Sequence, residues 1–155
     1  MKILFLDIDG VLNNREWAEL CESRTEPGEL PPWHRVPFPK HIVDNLHLIL
    51  NAIPDLKIVV SSSWRVRHNK GIFRILNNLA GIPEDFFIDI TPIRKDSRGD
   101  EINEWLEKNK DIDKFVILDD DVFDIKKEQM QFLVMPDYTI GLTEENAKQV
   151  INKLS

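Results

Sequence analysis

Met1-Lys2-Ile3-Leu4-Phe5-Leu6-Asp7-Ile8-Asp9-Gly10 opens the chain with an apolar run that stops at a carboxylate. Residues 3–6 do not alternate with polar ones, as they would in a strand with one wet face. The run suits a strand covered on both faces, as in a parallel sheet. Residues 57–60, stopping at Ser61, and 115–118, stopping at Asp119, read the same way. Two more candidate strands are 86–89 and 132–135, the latter closed by Pro136. Between them apolar residues recur at helical spacing: Ile42, Leu46, Ile49 and Ile53; Ile72, Leu76 and Leu79; Ile102, Trp105 and Leu106; Ala147, Val150, Ile151 and Leu154, with Thr143 placed to cap the last. Strands alternating with such helices predict an α/β fold: a Rossmann-like three-layer sandwich with a mostly parallel central sheet. Ligands of such sheets bind beyond the carboxyl ends of the strands. Asp7, Ser61 and Asp119 are each expected there, so three distant segments should share one crevice.

The 155 residues are expected to form one domain, 1–155. Hydrophobic residues make up 42% and charged residues 30%, which excludes a disordered chain. The apolar start breaks at Asp7, too early for a signal peptide or a bilayer span. With one cysteine, Cys21, expected as a surface or half-buried thiol, the chain fits a reducing cytoplasm. The 27 acidic residues exceed the 20 basic ones, which disfavours a nonspecific nucleic-acid coat but leaves a phosphorylated end open as a substrate. Nothing in the pattern calls for an obligate protein partner. Residues 13–39, rich in proline, interrupt the alternation; they read as a small cap or lid insert, or equally as a passive surface loop.

Four clusters carry chemistry. Asp7 and Asp9 stand two apart at a strand end, with Gly10 allowing a tight exit; a turn-forming Asp-Gly pair accounts for Asp9 and Gly10 but not for Asp7. The EF-hand pattern is absent. Asp119, Asp120, Asp121 and Asp124 follow a buried-type strand. Brought against Asp7 and Asp9, these carboxylates would repel one another unless a divalent cation intervened, and oxygen donors favour Mg²⁺. Taken singly, Asp121 and Asp113 read as solvated turn residues. Ser61-Ser62-Ser63-Trp64-Arg65 offers hydroxyls and a guanidinium at a strand exit, suited to phosphate oxygens, and lacks the Gly-x-Ser-x-Gly elbow of a serine hydrolase. Ser97 and Asp100 read as a helix cap that places Arg98 in the first turn, either as an ordinary exposed arginine or beside a bound anion. His47 is expected on a solvated helix face, and His34 and Arg35 of the insert could meet a substrate.

Together LFLDIDGVLN, IVVSSSWR, the Arg98-Gly99-Asp100-Glu101-Ile102 helix start and VILDDD, in that order, resemble the four motifs of haloacid dehalogenase (HAD) superfamily phosphatases. The SSSWR and LDDD forms are similar to the HAD domain of Swiss Army Knife RNA repair proteins. The resemblance implies a HAD-like fold and a phosphatase working through an aspartyl-phosphate: Asp7 as nucleophile, Asp9 as acid–base. It implies Mg²⁺ held by the Asp7 carboxylate, the Asp9 carbonyl and Asp120, with Asp119 and Asp124 as supporting or alternate ligands. Ser61 and Arg98 complete the catalytic set, and Gly10, Ser62, Arg65 and Lys95 fall on the substrate side. Arg98 stands where most family members carry lysine, and Lys95 is the other candidate for that charge. The short insert implies an accessible site and a nucleic-acid end or nucleotide phosphate as substrate. The alternatives are a small-molecule phosphatase or phosphotransferase, and a non-catalytic phosphate-binding module.

Overall fold

A computed structural model describes residues 1–94 and 97–155. In chain order the elements are β1 (Lys2–Leu6), α1 (Arg15–Ser23), α2 (Lys40–Ala52), β2 (Leu56–Val60), α3 (Trp64–His68), α4 (Ile72–Ala80), β3 (Phe87–Ile90), α5 (Arg98–Lys108), β4 (Lys114–Leu118), β5 (Leu133–Val134) and α6 (Glu144–Leu154). The five strands form one sheet in the order β3-β2-β1-β4-β5, every pair parallel. This is the expected Rossmann-like α/β sandwich.

The unbroken apolar runs have the expected cause. Leu4, Leu6, Ile58, Val60, Val116 and Leu118 pack on one face against Ile42, Leu46 and Ile49 of α2, Ile72 and Leu76 of α4, and Ala147 and Val150 of α6. Ile3, Phe5, Val59 and Ile117 point the other way, against Ile102 and Trp105 of α5. Successive side chains of β1 thus enter different cores, and neither position tolerates a polar residue. Caps set the helix ends: Thr143 and Asn146 form a reciprocal capping box on α6, and Gly81 (φ 62°) ends α4 in the left-handed region.

Three expectations need correction. The insert is not wholly irregular, because Asn14 accepts the Trp17 N–H at 2.9 Å and starts α1. Cys21 is fully buried in the core beside Trp17, since α1 turns that face inward. His47 is partly buried, its Nε2 2.9 Å from the Ala80 carbonyl, which an exposed helix face would not provide. Among the described residues no helix is long and apolar enough to cross a membrane.

Candidate active site

The sheet order reverses direction at β1: the chain proceeds from β1 to β2 and β3 on one side, then returns to place β4 on the other. At such a switch point the loops leaving β1 and β4 part and open a crevice. Register decides which residues meet there. Leu6 pairs with Val60 and with Leu118, so Asp7, Ser61 and Asp119 are the next residues off three aligned strands. The ladder extends one rung past the side-chain core: the Asp7 N–H donates to Leu118 O and the Ser61 N–H to Leu6 O, each at 3.0 Å.

Asp7, Asp119 and Asp120 form a compact group, each offering a carboxylate oxygen within 4.8 Å of the others. Asp7 is 4% exposed and Asp119 fully buried. Burial, and then the charge of Asp119, hold the Asp7 carboxyl well above its ordinary range, against the pull of Arg98. Burial likewise raises Asp119 and Asp120. One cation answers part of this strain: Arg98 Nη1 lies 2.7 Å from Asp119 Oδ2 and 3.3 Å from Asp7 Oδ2. Burial alone would favour the neutral guanidinium, yet the fields of Asp7 and Asp119 outweigh it and raise the Arg98 pKa. The residual negative charge, the all-oxygen donors and the partly open Asp120 could hold a hard divalent cation.

Arg98 reaches the group because Ser97 caps α5, accepting the Asp100 N–H at 3.2 Å. Asp124 does not join the three carboxylates; its Oδ2 accepts the Arg98 backbone N–H at 3.1 Å and fixes this helix start instead. Asp119 is similarly committed: Oδ2 to Arg98, Oδ1 to the Asp121 N–H at 2.9 Å. Asp121 caps the short helical turn Val122–Asp124.

Asp9 is exposed and held apart from the buried group. Its Oδ1 accepts from Asn13 Nδ2 at 3.1 Å and its Oδ2 from Trp64 Nε1 at 3.0 Å. β1 ends at Leu6, and Ile8 O accepts the N–H groups of Val11 and Leu12 in a tight turn, so strand alternation does not govern Asp7 and Asp9. Gly10 (φ 76°) has a function other than contact with substrate: a Cβ there would overlap the Asp120 carboxylate and come within 2.8 Å of Tyr138 Cβ. Asp120 can lie against the β1 loop only because position 10 has no side chain.

Ser61 Oγ is fully buried and without a hydrogen-bond partner among the described residues, an orphan hydroxyl at the floor of the crevice. Ser62 Oγ accepts the Trp64 N–H at 3.3 Å and shapes the turn into α3. Arg65 departs from expectation. It is 3% exposed, and its five N–H donors go to Thr91 O, Ser61 O, Ser62 O, Pro92 O and Glu101 Oε2. No donor is left for a phosphate, and Arg65 instead ties the exits of β2 and β3 to α5. Lys95 lies outside the described residues.

Sequence reasoning missed Asn13 and Trp64, which orient Asp9, and Glu101, which anchors Arg65. Asn13 sits four residues from Asp9 in a turn, a spacing that invites such a bond. Trp64 and Glu101 carried no signal beyond their neighbours.

A family model described as the HAD domain in Swiss Army Knife RNA repair proteins matches residues 3–147. No curated protein and no solved structure matches the chain.

Proposed function

The chain belongs to the family of HAD domains in Swiss Army Knife RNA repair proteins, a phosphatase-type family, and from that membership we propose a Mg²⁺-dependent phosphohydrolase that works through Asp7. The observation that carries this reading is the buried Asp7, Asp119 and Asp120 group with Arg98 against it, at the switch point of the sheet. Asp7, Asp120 and the Asp9 carbonyl would hold Mg²⁺, which when bound supplies charge neutralisation and alignment of the phosphoryl group.

Asp7 attacks phosphorus, forming an O–P bond as the bond to the leaving oxygen breaks, and Asp9 delivers its proton to that oxygen. Asp9, now ionised, takes a proton from a water that attacks the phosphorus, releasing phosphate and regenerating Asp7. Asn13 and Trp64 hold the Asp9 carboxyl for both transfers. Arg98 balances charge on the phosphoryl oxygens, and the unpaired Ser61 hydroxyl donates to one of them. The substrate class is a phosphate monoester on a nucleic-acid end or a nucleotide. Residues 13–39 are its small cap, within a single domain.

The test is Mg²⁺-dependent release of phosphate from an aryl phosphate. Asp7→Asn abolishes turnover, and Asp9→Asn lowers kcat by about 10²–10⁴. Full activity of Asp7→Asn would rule out the covalent route. A phosphotransferase shares every residue named and differs only in its acceptor.

A further inference from the structure

Asp9, Trp33 and Trp64 are shared by two clefts. One, of about 490 Å³, contains Gly10, Asn13 and Asp120 and adjoins the carboxylates. The other, of about 850 Å³, runs away from them between the insert and α3, and contains His34, Arg35, Arg67 and His68. Burial first, then the charges of Arg67 and His34, lower the His68 pKa, which places these groups from two segments within reach of one another's fields. Arg65, Arg74, Arg94 and Arg98 each pair with a carboxylate. Arg35 and Arg67 are exposed and form no ion pair among the described residues. In a chain of net charge −7, two uncommitted arginines on one groove wall stand out; besides Asp9, Glu29 is its acidic member.

The aromatic wall is fixed. Trp33 packs on Trp17 at 5.7 Å between ring centres, Trp64 lies 6.4 Å from Trp17, and the Trp64 edge is tied to Asp9. Both rings are partly exposed to the clefts. Flat indoles beside arginines make the pairing that binds single-stranded nucleic acid: bases stack on the rings and backbone phosphates meet the cations.

We propose that this second groove is a subsite for the nucleotide adjoining the scissile phosphate, with Trp33 and Trp64 stacking a base and Arg35 and Arg67 taking backbone phosphates. It rests on the phosphohydrolase reading for the position of the scissile group. A nucleoside monophosphate offers Arg35 and Arg67 no second phosphate, so the groove selects a strand end over a free nucleotide.

The experiment compares 5′- and 3′-phosphorylated RNA hexamers with the matching nucleoside monophosphates, an aryl phosphate and a phosphoserine hexapeptide. Anisotropy of a labelled, unphosphorylated hexamer reports binding without turnover. One hexamer end should exceed its mononucleotide in kcat/KM by at least about tenfold, the scale of a single base–aromatic contact. In the Arg35→Ala/Arg67→Ala variant, the hexamer-to-aryl-phosphate ratio of kcat/KM should fall by about tenfold, and the salt dependence of hexamer binding should flatten by roughly one unit of log–log slope. Parity between hexamer and mononucleotide, a preference untouched by the double variant, or equal turnover of the phosphopeptide would overturn the subsite. No aryl-phosphate turnover would overturn the phosphohydrolase reading instead; hexamer binding that is unchanged in the variant would then still overturn the groove.

Discussion

Arg98 carries two burdens that a lysine would share differently. Its planar fork meets Asp119 and Asp7 at once, whereas an ammonium is a single point charge. Arg98→Ala leaves the fully buried Asp119 without its counter-charge and should cost about 3–5 kcal/mol in urea unfolding without metal. Arg98→Lys should recover most of that stability and, on the proposed mechanism, part of kcat; stability of Arg98→Ala equal to the parent would refute the pairing. Gly10→Ala should weaken Mg²⁺ binding by at least about tenfold, read by titration, because a Cβ at φ 76° both strains the turn and displaces Asp120.

Elements were more legible than the bonds between them. Each strand anticipated from an apolar run exists, with bounds moved by a residue or two, because a fully covered strand has no polar positions to obscure it. α1 went unread because the prolines around it dominate the local composition, although Asn14 is a strong cap residue. Asn14→Ala should destabilise the protein by about 1 kcal/mol, measured by chemical denaturation. The carboxylates at the exits of β1 and β4 were legible because parallel register brings them together. The duty of Arg65 was not: sequence records a charge at a strand exit but not whether backbone carbonyls surround it. Arg65→Ala should cost about 3–5 kcal/mol as a broken buried pair, with circular dichroism reporting the loss; a change below about 0.5 kcal/mol would return Arg65 to the substrate side.

For the molecule as a whole, pH and metal should act in opposite directions. Asp7, Asp119 and Asp120 have raised pKa values, so without metal the folded state binds their protons more tightly than the unfolded chain does. Stability should therefore rise as pH falls from about 8 to 5. The surface carboxyls held low, Asp100, Glu104, Asp113 and Asp137, start to lose their contribution only below about pH 4.5. Saturating Mg²⁺ at neutral pH should raise Tm by about 5–10 °C and remove the acid-side gain. A Tm that is flat between pH 5 and 8, with and without Mg²⁺, would contradict the carboxylate cluster.

Cys21 gives the insert its own clock. Its sulfur is sealed beneath the indole of Trp17 on the inner side of α1, so a disulfide reagent can reach it only when that helix lifts. The labelling rate at rising reagent concentration then separates the opening frequency of the insert from global unfolding, and its change on adding an oligonucleotide tells whether the segment clamps down on what it holds.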